Sequence, residues 1–207
     1  MEKLALKMFD VILPKITVLI DTLFDLWRHP IQTLNKRLDE DKGLSFSFFV
    51  FFMMSLGAYI IMAFALLPIN KEIDMYEIGF GFIITQFIML IMYSLASLYA
   101  LKSVKIKTTW DKVLKSTAYL YGQVSVMISF TCALLLLMVT KTNSDVSYGI
   151  VVTFIIGIGL LGFGWYVMCR VFNASKLQII FSFILVLLYS TPASYLLQDL
   201  SKLFVNF

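Results

Sequence analysis

Few groups in this chain could do chemistry, and their positions settle most of them. Carboxylates cluster twice, as Asp39-Glu40-Asp41 and as Glu72, Asp74 and Glu77. Paired carboxylates can share acid and base work or hold a hard cation. Here both sets sit in hydrophilic connections between apolar runs. The first reads as a solvated helix end, the second as at most a weak attractor of cations. The single histidine, His29, stands beside Pro30 and leaves no multi-histidine metal set. Cys132 and Cys169 each lie inside an apolar run with no histidine or second cysteine nearby. They read as small buried hydrophobes rather than as a disulfide or metal site. The run Gly157-Ile158-Gly159-Leu160-Leu161-Gly162-Phe163-Gly164 is glycine-rich but lies within an apolar stretch. A dinucleotide site needs such glycines between a strand and a helix. The expectation is therefore no enzyme: no catalytic residue, no cofactor, no metal and no nucleic-acid partner.

The composition explains why. Sixty per cent of the 207 residues are hydrophobic and 14% are charged, against roughly 25% charged in a soluble domain. Only a bilayer can solvate that much apolar surface. A hydrocarbon core about 30 Å thick needs about 20 helical residues, and five uncharged runs reach that length: 44–67, 78–101, 116–140, 146–169 and 177–198. The fold expected is an all-α membrane protein with a five-span domain at 44–198. Cytoplasmic N-terminal helices at 1–43 precede it and a short external tail at 199–207 follows. The first run is too long for a signal sequence, and Leu66-Leu67-Pro68-Ile69 offers no small-residue cleavage site. Fourteen of the seventeen Lys and Arg residues fall in 1–43, 102–115 and 170–176. Excess Lys and Arg mark the cytoplasmic side, so the N-terminus is expected inside and the C-terminus outside.

Residues 1–27 carry Lys3, Lys7, Asp10, Pro14, Thr17, Asp21 and Asp25 at steps of three and four, one narrow polar stripe with a wide apolar face around it. Such a helix lies in the cytoplasmic interface with Trp27 at headgroup depth, or packs on the ends of the spans or on a partner. Pro14 is expected to kink it. Pro30 suits the first position of a second short helix whose Ile31, Leu34 and Leu38 share a face.

Within the spans, Ala118, Gly122, Ser125, Ser129 and Cys132 form a seam of small residues that permits close helix approach. Gln123 sits beside it, and Gln86 of the second span is its expected hydrogen-bond partner. In the fourth span Gly157 and Gly164 share one side, while Gly159 and Gly162 share roughly the opposite one. These faces serve packing within the bundle, or contact with a second copy or a moving helix. Pro192 is expected to kink the fifth span, with Ser190 and Thr191 satisfying the freed carbonyls. No Asp, Glu, Lys, Arg or His lies in any of the five runs, which speaks against proton relays, ion coupling and voltage sensing.

The order Leu26-Trp27-Arg28-His29-Pro30 with Ile31, Thr33 and Leu34, then a polar helix and a first span, resembles the Yip domain of Ypt-interacting membrane proteins. Lys112-Val113-Leu114 leading to Ala118-Tyr119 is similar to that family's entry into its third span. Tyr166-Val167-Met168-Cys169-Arg170-Val171-Phe172 closes the fourth in the same order. The likeness covers most of 26–198. Where members often carry Pro a few residues after that tyrosine, this chain has Gly122-Gln123. The resemblance implies a short bacterial-type member, without the long cytosolic tail of eukaryotic relatives. It implies a non-enzymatic scaffold or adaptor of the bacterial inner membrane, with the bilayer and a second copy or another membrane protein as partners. The Rab-type GTPase partner of eukaryotic members does not carry over without that tail. The competing readings are an oligomeric channel or permease subunit, and a membrane effector or immunity-type protein.

Overall fold

The computed structural model describes the backbone at residues 2–40, 43–66, 75–142 and 146–205, and side-chain surroundings at 14, 16–40, 43–66, 79–138 and 151–191. The described residues form seven helices: α1 (Glu2–Arg28), α2 (Pro30–Glu40), α3 (Ser45–Leu66), α4 (Met75–Ser103), α5 (Trp110–Thr142), α6 (Val146–Val171) and α7 (Lys176–Val205). No strand occurs among the described residues.

Among the described residues four stretches are long and apolar enough to cross a membrane: Ser45–Leu66, Gly79–Ser103, Trp110–Met138 and Val151–Val171. They match the first four runs of the sequence, and they make this a multi-pass membrane protein by length and composition. In α7 the described side chains end at Thr191, and the apolar stretch Lys176–Thr191 is shorter than a span needs. Glu72 and Asp74 of the second acidic set lie outside the described residues, and so do the side chains of Glu77, Pro192, Lys3, Lys7 and Asp10.

Helix α5 occupies the centre, packed against α3, α4 and α6, while α7 packs on α4 and α2 lies across α5 and α6. The core is built from Phe51, Leu90, Leu101, Tyr119, Met168 and Val186, all fully buried. Helix α5 starts six residues before its charge-free run. Its first turn carries Asp111, favourable at a helix N-terminus, and Asp111 accepts from Lys115 at 2.9 Å. Lys115 is 5% exposed, so the pair lets a buried ammonium belong to the helix. An uncharged run underestimates helix length whenever terminal charges pair along the helix in this way.

Two turns at one end of the bundle are closed without outside help. After α4, Lys105 takes φ 63°, Ile106 N–H donates to Leu101 O at 3.0 Å and Lys105 N–H to Lys102 O at 2.9 Å. After α6, Asn173 takes φ 56°, Ala174 N–H donates to Cys169 O and Asn173 N–H to Arg170 O. Each is a left-handed residue closing a helix with the paired bonds of a Schellman cap. Ser175 and Gln178 then form a capping box at the head of α7: Ser175 N–H donates to Gln178 Oε1 at 2.9 Å, and Gln178 N–H to Ser175 Oγ at 3.4 Å. The Gln178 amide also donates to Val104 O at 2.8 Å, tying the two turns together.

Helix α1 remains helical across Pro14. It has three faces rather than two. Pro14, Thr17, Asp21 and Asp25 are exposed, which places the polar stripe outward. Leu19, Thr22 and Leu26 are buried against the bundle, and Thr22 satisfies its hydroxyl on Val18 O at 2.6 Å. Between these faces Ile20, Phe24 and Trp27 are apolar yet exposed. Helix α2 begins at Pro30, buries Leu34 and turns Ile31 and Leu38 to the core. Arg37 joins it to α3, lying 5.7 Å over the Phe46 ring and 3.4 Å from Glu40.

Candidate functional site

The small-residue seam of α5 faces α3 and α4. Ala118 is fully buried beside Phe51, Leu90 and Leu114. Gly122 is where α3 comes closest: a Cβ there would stand 2.5 Å from Met54 Sδ and 3.3 Å from Phe51 Cδ2. Ser125 and Ser129 are buried on the same side. Ser125 Oγ donates to Gln86 Oε1 at 3.3 Å. Gln86 thus meets Ser125, not Gln123. Residues 123 and 125 lie about 200° apart around a helix, so only one of them can face α4.

In α6, Gly157 lies against Ile128 and Gly164 against Val124 and Leu120, so both face α5. Gly162 approaches Phe183 of α7 at 3.8 Å, whereas a Cβ at Gly159 would meet nothing within 4 Å. One glycine face is internal packing, and the other is only partly covered. The resemblance-bearing residues divide likewise. Ala118 and Tyr119 are fully buried. His29 is exposed in the link between α1 and α2, Pro30 is half-buried, and Trp27 is 63% exposed.

A polar contact between α6 and α7 escaped the sequence reading. Trp165, 2% exposed, donates its indole N–H to Ser182 Oγ at 3.1 Å and to Ile179 O at 3.3 Å. Cys169 Sγ lies 3.7 Å from the same hydroxyl. No spacing in one helix reveals a partner in another. The Ser175-x-x-Gln178 box was the one local signal available.

Most span hydroxyls turn back on their own helices. Ser97 donates to Tyr93 O, Ser116 to Lys112 O, Thr117 to Val113 O, Thr131 to Met127 O and Thr191 to Leu187 O. That closure satisfies them without water, whereas Ser55 and Ser94, both fully buried, have no hydrogen-bond partner among the described residues. Among the described residues no group of three His, Cys, Asp or Glu could hold a metal. A cavity of about 20 Å³ between Tyr93, Tyr121 and Gly164 has room for about one water molecule.

A larger concavity lies elsewhere. Between the C-terminal half of α1, the middle of α3 and α5 runs a groove of about 600 Å³, walled by Leu19, Leu23, Trp27, Met53, Gly57 and Gln123 among others. Past Trp27 and Gln123 a second hollow of about 140 Å³ continues toward Phe163 and Gly164 of α6. Gly57 lies twelve residues into α3, about 18 Å along its axis at 1.5 Å per residue. The groove therefore reaches the middle of α3. No family model matches the chain, and no curated protein or solved structure does either. The Yip likeness rests on its motifs alone.

Proposed function

We propose that this protein is a non-enzymatic scaffold or adaptor of the bacterial inner membrane, akin to Yip-domain proteins, acting through contact with lipid and with other membrane proteins. The observation that carries the reading is the closure of the span hydroxyls onto their own helices, with Gln86 held by Ser125. A pore needs a lining of groups free to bind water; these groups are engaged within the protein, and the two fully buried span hydroxyls without a partner among the described residues, Ser55 and Ser94, lie in the packing rather than on an open path. Liposomes containing the purified protein are therefore expected to hold potassium and proton gradients as long as empty liposomes do. A leak proportional to protein, abolished by Gly159→Leu with Gly162→Leu, would replace the scaffold with an oligomeric channel.

The same reading takes α7 as a fifth span, continuing past Thr191 through the uncharged run to residue 198. It places the basic connections at 102–115 and 170–176 in the cytoplasm and α1 at the inner interface, its polar stripe toward water. A reporter fused after Phe207 is expected to score periplasmic, and one inserted in the 102–115 connection cytoplasmic. The reverse pattern would overturn the orientation, and two cytoplasmic signals would reduce the spans to four.

A further inference from the structure

The outer face of α4 changes character toward its C-terminus. Ile91, Leu95 and Tyr99 follow one another at steps of four and are all exposed. On a spanning helix such a stripe is covered by lipid. The apolar stretch of α4 closes at Ser103, which puts Tyr99 in the interfacial layer that aromatic rings favour. Lys102, one turn further and exposed, then stands beside the phosphates. Tyr99 is 62% exposed, and its hydroxyl has no partner among the described residues. Helix α7 fixes a wall next to it. Ser103 donates its proton to Tyr99 O at 2.8 Å, so its 3.4 Å contact with the Tyr189 hydroxyl needs Tyr189 as the donor. Past the end of α4 stand two further exposed cations. Lys105 follows Val104 in the left-handed turn, and Lys176 opens α7 two residues before Gln178, whose amide holds Val104 O. None of these three lysines joins an ion pair among the described residues. The local sequence offers no carboxylate either, since no Asp or Glu occurs at 78–110 or at 146–198. Asp111, at the head of α5, is engaged by Lys115.

We propose that this corner between α4 and α7 holds one anionic glycerophospholipid of the surrounding bilayer. Lys102 takes its phosphate, Tyr99 donates to an ester oxygen, and an acyl chain lies along Leu95 and Ile91. Apolar side chains, phenol and ammonium succeed one another along a single spanning helix in the order of the lipid's own groups. The pair beyond the phosphate selects the headgroup. Lys105 and Lys176 repel the ammonium of a choline or ethanolamine lipid and leave a glycerol headgroup unopposed, and cations at this depth attract lipid of net negative charge. The site requires only that α4 spans the bilayer, so its failure would leave the scaffold reading untouched.

The test titrates the full chain in mild detergent with phosphatidylglycerol and with phosphatidylcholine, and reads bound lipid by native mass spectrometry. The wild type is expected to bind phosphatidylglycerol about 25-fold more tightly, about 5-fold for each of Lys105 and Lys176. Lys102→Gln is expected to weaken both lipids about 5-fold, because both carry the phosphate. Lys105→Gln with Lys176→Gln is expected to leave the two lipids bound equally. Lys112→Gln removes an exposed cation of α5 at the same end and is expected to change neither affinity. All four lysines are exposed, so every variant should fold, and an unchanged melting temperature checks it. Equal affinity of the wild type for the two lipids would overturn the site, as an annular contact only. Equal losses in Lys102→Gln and Lys112→Gln would overturn it as well, leaving a diffuse field of charge. A double variant that keeps the wild-type preference would overturn the headgroup selection.

Discussion

Gly122→Leu is expected to abolish assembly of the bundle, while Gly159→Leu leaves it intact. At Gly122 even a methyl carbon would stand 2.5 Å from Met54 Sδ and 3.3 Å from both Met54 Cβ and Phe51 Cδ2. The thioether is flexible and can swing aside, so Gly122→Ala is expected to cost about 1 kcal/mol, at the low end of overpacking penalties. A leucine adds three further carbons against Phe51, which is fully buried and has an edge-on partner in Phe87, 5.1 Å between centroids. Helix α3 would have to withdraw from α5, opening the largest interface in the molecule. At Gly159 the same side chain enters open space. Yield of monodisperse, membrane-inserted protein and its melting in detergent separate the cases. A Gly122→Leu protein as stable as wild type would refute the close approach of α3 to α5.

The second large effect concerns Trp165. Trp165→Ala is expected to destabilise the protein by about 3–5 kcal/mol, the usual cost of emptying an aromatic site in a packed core. Trp165→Phe keeps most of that volume and removes the indole donor. It is expected to cost about 1 kcal/mol, within the range measured for hydrogen bonds between membrane helices. Ser182→Ala should cost a similar amount. Because both changes delete the same bond, the double variant is expected to fall short of the sum. Unfolding in graded denaturing detergent, fitted for the four proteins, gives the coupling. Strict additivity would mean that α6 and α7 are held by packing alone.

The charge-free runs located four spans to within a few residues, because charge is costly in hydrocarbon and ends a run sharply. They misplaced the start of α5, because Asp111 and Lys115 cancel along one helix. The seam from Ala118 to Ser129 was legible, since small side chains at steps of three and four define a face. Its partner was not: amide chemistry alone paired Gln86 with Gln123, and the packing chose Ser125. The polar stripe of α1 was also readable. The division of its apolar remainder into a buried face at Leu19 and Leu26 and a bare one at Phe24 and Trp27 was not. That division depends on where α3 and α5 stand, as does the groove. Nothing in the run Leu23-Phe24-Asp25-Leu26-Trp27 separates residues that touch protein from residues that do not.

The two left-handed turns at Lys105 and Asn173, cross-tied by Gln178, bear on how the molecule can deform. Each turn has closed the last carbonyls of its helix, and the tie to Val104 couples one to the other. The ends of α4 and α6 and the head of α7 therefore act as a single clamped plate. Helix α1, by contrast, continues into α2 through the link at His29, where His29 N–H donates to Asp25 O and Thr33 N–H to His29 O, and otherwise holds to the bundle by side-chain packing at Leu19, Thr22 and Leu26. Stiffness is thus unevenly distributed. Lateral pressure from the bilayer would shift α1 on its packed face before it sheared the hydrogen-bonded frame.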